Sequence, residues 1–319
     1  MCEKDERKMR KHRVFGLLAV LAAIGLMLSG CAAKEDSPDS EKIKITATLF
    51  PQYDFAKAIG GEMAEVNLLL PPGAESHSFE PTPADIISAG KSDIFIYTGE
   101  FMEAWAKTIT ESLPEEVYVL DVSRGIDLES HEDHDGDHDD EHGHNVDPHV
   151  WTNPVLAMQM AENIYDAFCE EDPENAGYYE ENYNAVILKL KELDSRFRQA
   201  VDESEEKFIV FGGRFAFGYF VEEYGIDYVS AYESCSEEAE PSAAKISQII
   251  EIVKERDVPV VFYEELSAGK VADIICEETG AEKLVLHSCH NISAEDFKKG
   301  VTYFDLMDKN AENLKKGLK

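Results

Sequence analysis

The chain has 319 residues, 44% of them hydrophobic, and a formal net charge of −35 at pH 7. Such an acidic chain is unsuited to nucleic acid, whose phosphates require basic surfaces, and to direct binding of anionic lipid head groups. The hydrophobic fraction is sufficient for a sizeable core, so the acidic residues are expected at the surface. Cations are therefore the expected partners.

The amino terminus has the layout of a secretory signal peptide. Basic residues precede an apolar block over residues 14–28, and the sequence LSGC ends at Cys31. The block is shorter than the roughly 20 apolar residues that a membrane span requires. Because LSGC resembles a bacterial lipobox, we expect residues 1–30 to be a signal peptide and Cys31 to be lipidated. A flexible stalk over residues 31–42 would then tether the protein to the extracytoplasmic face of the cell membrane.

Short apolar runs alternate with helical patterns in two parts of the chain. In chain order, the predicted strands are IKITATLF, AEVNLLLP, SDIFIYTG, EEVYVLDVS, KFIVFGG, IDYVSAY, VPVVFYEE and AEKLVLHS. The predicted helices cover residues 51–61, 82–90, 100–113, 153–201 with a break at 172–173, 215–224, 242–256, 267–279 and 302–317. Such alternation predicts an α/β fold with parallel sheets covered on both faces.

The long helical segment divides the chain into two similar lobes. We predict an N-terminal (β/α)4 lobe over residues 43–172, a rigid linking helix over 173–203 and a C-terminal (β/α)4 lobe over 204–319. Ligands of parallel sheets bind beyond the carboxyl ends of the strands. Two facing lobes would therefore share one cleft.

Apart from His12 in the amino-terminal segment, the histidines fall into two groups. Four stand at loop positions where a strand has ended or a helix is about to begin: His77, His149, His287 and His290. A single histidine is more often structural, but four in such positions favour a metal site, and imidazole suits zinc. We expect His77 and His149 from the first lobe and His287 from the second to point into the cleft.

Five further histidines lie in an acidic loop over residues 129–146. They are interleaved with Asp, Glu and Gly: His131, His134, His138, His142 and His144. A merely solvated acidic loop is the plainer interpretation. The density of imidazoles favours auxiliary, weak capture of metal ions instead.

Several motifs together resemble one protein family. GAESHSFEPTPADI, DPHVWTNP, AFGYFVEEYGI, EAEPSAAKI and VTYFDLMDKNAENL are similar, in order and spacing, to the motifs of solute-binding lipoproteins of bacterial zinc and manganese ABC importers. The resemblance implies two α/β lobes with one metal between them, and a membrane permease and ATPase as partners. It implies no catalytic activity, and we expect a monomer. The ligand positions of the family correspond to His77, His149 and His287.

The chain departs from the family at one ligand position. Arg214 stands where relatives have His or Glu, and a guanidinium cannot bind a cation. Three histidines and a water could complete the site, or His290, Glu264 or Glu265 could supply the missing ligand. Arg214 could instead pair with a carboxylate of the cleft, such as Glu80, Glu233 or Glu237.

Two other functional classes compete with zinc import. Three histidines and a water would also suit a zinc hydrolase, but the sequence contains no HExxH motif. A surface adhesin or zinc buffer would need only the anchor and the acidic loop. Within the import class, manganese is the alternative cargo, although manganese prefers carboxylates to imidazoles.

The cysteines do not form a CxxC pair, which argues against a thiolate zinc site. A disulfide between Cys235 and Cys289 is one expectation, because both follow predicted strands outside the cytoplasm. Buried, inert thiols are the alternative.

Overall fold

The computed structural model describes residues 42–128, 146–232 and 240–319, which contain two parallel four-stranded sheets. The first sheet has the order β2-β1-β3-β4, with strands β1 (Ile43–Ala47), β2 (Ala64–Leu68), β3 (Ile94–Tyr97) and β4 (Tyr118–Asp121). The second has the order β6-β5-β7-β8, with strands β5 (Phe208–Phe211), β6 (Asp227–Ser230), β7 (Val260–Tyr263) and β8 (Glu282–Val285). The predicted fold class and all eight strands are confirmed.

The helices flank these sheets. They are α1 (Phe50–Gly60), α2 (Pro83–Ala89), α3 (Ala106–Thr110), α4 (Pro154–Glu171), α5 (Ala176–Asp202), α6 (Gly218–Tyr224), α7 (Ala243–Arg256), α8 (Lys270–Thr279), α9 (Ala294–Lys299) and α10 (Tyr303–Gly317). Short 3₁₀ turns occur at Gly61–Met63, Val150–Thr152 and Pro173–Asn175. None of these described helices is long and apolar enough to cross a membrane.

The central strands are apolar because both of their faces are covered. Every residue of β5 is buried, as expected for a strand of a parallel sheet packed on two sides. The long helix α5 packs against α1, α4 and α10. One apolar cluster therefore includes side chains of the first sheet, of α5 and of the second sheet, among them Ile45, Ile96, Leu190, Phe197, Phe211 and Phe262.

Two helical predictions were wrong. The helix predicted over 100–113 is confined to α3, because residues 99–105 form turns that begin at Gly99 (φ 79°) and bury the side chain of Glu103. Helix α9 was not predicted. Its sequence signal is Ser293, whose hydroxyl accepts a hydrogen bond from the backbone N–H of Asp296 (3.1 Å), and Gly300, which ends the helix in the left-handed conformation.

Several predicted features lie outside the described residues. They are the signal peptide over 1–30, the lipidation site Cys31, all of the stalk except Lys42, the five loop histidines, and the residues Glu233, Cys235 and Glu237. The proposed partner of Cys235 is described: Cys289 is a buried, free thiol in the structure.

Glu103 is a buried acid in the turns that follow β3. Its Oε2 accepts a hydrogen bond from the backbone N–H of Thr98 (2.6 Å), at the end of β3. Within the described residues, Glu103 Oε1 and Ser76 Oγ are the buried side-chain atoms without a hydrogen-bond partner. Burial raises the pKa of Glu103 to about 8, against weaker opposing effects of hydrogen bonds from its neighbours. The carboxyl group is therefore mostly protonated at neutral pH.

The protonation of Glu103 predicts a pH dependence of stability. Between its ordinary pKa of 4.5 and about 8, the native state binds more protons than the unfolded state, so the free energy of unfolding falls as the pH rises. Glu103→Gln removes this titration, and we expect urea unfolding of the variant to depend less on pH between those values. Exposed Glu115→Gln is the control. Parallel pH profiles for Glu103→Gln and the wild type would contradict the prediction.

Candidate metal centre

Loops at the carboxyl ends of the strands bring histidines from both lobes to one cavity. His77 follows β2, His149 follows β4, and His290 follows β8. The cavity has a volume of about 140 Å³. Both lobes line it, through Gly73, Glu75, His77, Arg214, Ala216, Glu264, Glu265, Leu266, Ser267, Ser288 and His290.

Two imidazole rings lie near that of His77. Its ring centre lies 5.7 Å from that of His149 and 6.3 Å from that of His290. Two imidazoles bound tetrahedrally to one zinc ion have ring centres about 5 Å apart, given Zn–N bonds of about 2.0–2.1 Å. Among the described residues, no three His, Cys, Asp or Glu side chains are placed to hold a metal ion as they stand. The rings must therefore approach one another by about 1 Å to share an ion.

Asp147 orients the ring of His149. The two residues are joined by a 2.7 Å contact between His149 Nδ1 and Asp147 Oδ1, and this carboxylate oxygen also accepts the backbone N–H of His149 (2.9 Å). A carboxylate acts only as an acceptor, so Nδ1 carries the proton and Nε2 keeps its lone pair. In known metal sites, a carboxylate that does not itself bind the metal often fixes the tautomer of a metal-binding histidine in this way.

A serine performs the same role for His290. Ser288 Oγ donates its proton to Glu265 Oε1 (2.5 Å), and it also contacts His290 Nδ1. Because the hydroxyl proton is already used, Ser288 Oγ accepts from His290 Nδ1–H. The lone pair of Nε2 is then available to a metal ion.

The charges in this network agree with neutral imidazole at the site. Burial raises the pKa of Glu265, but the neighbouring His287 and His290 and the hydrogen bonds from Ser288 outweigh it, so the pKa lies below its usual value. Burial lowers the pKa of His290 to about 4, although Glu265 opposes this shift. His290 is therefore neutral at physiological pH, which is the form that binds metals.

The ring of His287 makes different hydrogen bonds from that of His290. Its Nδ1 accepts the backbone N–H of Cys289 (3.0 Å) and lies 3.7 Å from Glu265 Oε2. With Nδ1 as an acceptor, the proton of a neutral ring is on Nε2, which leaves no free lone pair. The geometry therefore favours His290 over His287 as the imidazole supplied by the second lobe. Membership of either residue in the ligand set stays a prediction.

Arg214 lines the cavity without a carboxylate partner among the described residues. Its backbone N–H donates to Glu264 Oε2 (3.2 Å), but its guanidinium forms no ion pair with Glu80 or with any other described acid. The Glu264 carboxylate lies against the backbone of residues 213 and 214, since a Cβ at Gly213 would be 1.7 Å from Oε2. Glu264 Oε2 thus holds the backbone of this loop.

Hydrogen bonds between the lobes hold the loops of the site together. Trp151, which contacts the His149 ring at 5.3 Å between centres, donates from Nε1 to the carbonyl of Ser288 (2.7 Å). The side chain of Asn291 donates to the carbonyls of Pro71 (2.9 Å) and Ala74 (2.6 Å), in the loop that precedes His77. The three imidazoles therefore stand on loops that are tied across the cleft.

Sequence reasoning missed the residues that orient the candidate ligands His149 and His290. Asp147 could have been found from its position two residues before His149, where its carboxylate can reach both the ring and the backbone. Ser288 could not, because its role depends on Glu265, which the fold brings to it from a different loop.

The chain is similar to known zinc-uptake proteins. The family model ZnuA, described as zinc-uptake complex component A, periplasmic, matches residues 45–317. The chain is 38% identical over 310 residues to the high-affinity zinc uptake system protein ZnuA of Bacillus subtilis (strain 168), covering 94% of this chain and 97% of that protein. It is 32% identical to the zinc-binding lipoprotein AdcA of Streptococcus pneumoniae (strain R6) and spans 60% of its length, with 94% of this chain covered.

A solved structure is also similar. The crystal structure of the metal-dependent lipoprotein YcdH from Bacillus subtilis matches with a TM-score of 0.76 and 36% sequence identity. The match covers 87% of this chain and 99% of that one.

The tautomer assignments predict unequal roles for two neighbouring histidines. We expect His290→Ala to weaken zinc binding more than about 100-fold, because loss of a ligand should exceed the 10–100-fold cost of losing an orienting group. His287→Ala should weaken zinc binding less than about tenfold, which is below the cost of losing an orienting group, because we expect His287 neither to bind the metal nor to orient a ligand. Chelator competition at neutral pH measures both. A larger loss for His287→Ala than for His290→Ala would reverse the assignment.

Proposed function

The chain belongs to the ZnuA family of zinc-uptake components, as its motifs predicted, and we propose that it captures zinc outside the cytoplasmic membrane and delivers it to an ABC importer permease. Members of this family are transport components, so the prediction that the chain is not an enzyme is confirmed. We further propose that lipidated Cys31 anchors the protein to the membrane, which the lipobox-like LSGC sequence supports.

One observation carries this proposal. The rings of His77 and His290 line a cavity between the lobes, and the buried ring of His149 lies next to that of His77. Hydrogen bonds leave Nε2 of His149 and of His290 able to bind a metal. Neutral imidazoles favour zinc over manganese, which prefers carboxylate oxygen. The names of the relatives, a zinc uptake protein and a zinc-binding lipoprotein, support the same cargo.

Zinc titration tests the site directly. The protein from residue 32 onward should bind one zinc ion tightly at neutral pH, and His149→Ala should weaken this binding more than about 100-fold. The matched control is His138→Ala in the acidic loop, which we expect to change the affinity little. Loss of the one-to-one site on deletion of residues 129–145 would contradict a cleft site.

Delivery to a permease is tested in cells. A strain that lacks this protein should grow poorly in chelated medium and recover when zinc is added. Expression of the wild type or of His138→Ala should restore growth without added zinc, whereas His149→Ala should not. Restored growth with His149→Ala would instead favour an anchored zinc buffer or adhesin, in which the cleft has no part.

A further inference from the structure

The cationic side chain of Arg214 is unusual in a cavity that receives a cation. Arg214 shares the cavity with His77 and His290, and its guanidinium has no carboxylate partner among the described residues. A doubly charged ion bound by three neutral imidazoles would add to this positive charge. No described carboxylate forms an ion pair with Arg214 that would offset this charge.

The three carboxylates that line the cavity are already engaged. Glu265 accepts hydrogen bonds from Ser288 N–H (2.7 Å) and Oγ–H (2.5 Å). Glu75 accepts two hydrogen bonds from Ser78, from its N–H and its hydroxyl (both 2.9 Å). Glu264 accepts a hydrogen bond from the backbone N–H of Arg214. None of these three carboxylates forms a hydrogen bond or an ion pair with the guanidinium of Arg214 in this structure.

The guanidinium has the geometry to bind an external anion. Its planar fork of N–H donors matches two oxygens of a carboxylate or carbonate group, and such paired, charge-assisted bonds are among the stronger ones in proteins. The cavity of about 140 Å³ has room for more than one water, each of which occupies about 30 Å³ in the liquid. A zinc ion with three protein ligands retains a fourth, exchangeable position.

We propose that a small planar oxyanion, carbonate or a simple carboxylate, completes the zinc site by binding the ion through one oxygen and the guanidinium of Arg214 through the remaining oxygen of a carboxylate or the remaining two of carbonate. This inference rests on the proposed function, because it needs zinc at the imidazoles. At the position where relatives have a ligand from the protein, Arg214 thereby provides a binding site for an external ligand. Zinc and the anion then bind with positive coupling, since each lowers the electrostatic cost of the other.

Zinc affinity is measured by chelator competition in carbonate-free buffer, with millimolar bicarbonate, acetate or chloride added at equal ionic strength. In the wild type, we expect an oxyanion to tighten zinc binding about tenfold relative to chloride, as a charge-assisted bidentate contact permits. An effect of bicarbonate alone identifies carbonate, and an effect of both oxyanions identifies a general carboxylate site. In Arg214→Gln the oxyanion effect should disappear. Exposed Arg124→Gln, which removes the same charge, should retain it.

Cobalt provides a second measurement. The visible spectrum of the Co²⁺-loaded protein should change when the oxyanion is added to the wild type but not to Arg214→Gln. Equal zinc affinities in every buffer, with an unchanged cobalt spectrum, would overturn the inference and leave water as the fourth ligand. If Glu264→Gln loses tight zinc binding and added oxyanions leave the zinc affinity of the wild type unchanged, the inference is wrong and Glu264 is the fourth ligand. Absence of tight zinc binding by the wild type in all buffers would instead refute the proposed function.

Discussion

The hydrogen bond from Trp151 to the carbonyl of Ser288 is the contact on which the site depends. The Trp151 ring packs against His149, and Ser288 accepts the Nδ1–H of His290, so this bond sets the two ligand loops relative to each other. Each lobe also supplies its own carboxylate for orientation, Asp147 in the first and Glu265 in the second. The imidazoles of His149 and His290 are thereby held in the tautomer that a metal requires. Their ring centres lie 5.7 and 6.3 Å from that of His77, somewhat farther than in a formed zinc site.

The architecture could be predicted because its signals are local. The inner strands are short apolar runs, such as IFIY in β3, FIVF in β5 and VVFY in β7. The break at Asp172-Pro173 separates α4 from α5 in the sequence as in the structure. The failure at residues 100–113 has a tertiary cause. An amphipathic pattern was present there, but Glu103 turns inward to the end of β3, and the hydrogen bond to Thr98 replaces helical structure.

The candidate site was predictable only in part, for a related reason. His77 and His149 stand alone on their loops, so their motifs identify them. His287 and His290 share one loop, and the sequence favours neither on chemical grounds. The choice between them depends on which hydrogen bond each Nδ1 makes, with Cys289 N–H for His287 and with Ser288 Oγ for His290. Such a distinction requires coordinates, because Glu265 reaches Ser288 from a distant segment.

The apolar cluster that includes side chains of both sheets and of α5 restricts how the bound ion can leave. Swinging the lobes apart would expose core side chains, at about 25 cal/mol for each Å² of apolar surface. Even a few hundred Å² would approach the 5–15 kcal/mol that holds a whole domain folded. A wide hinge motion is therefore too costly for routine turnover. We expect the scaffold to stay intact during unloading, with only the loops around the cavity changing shape.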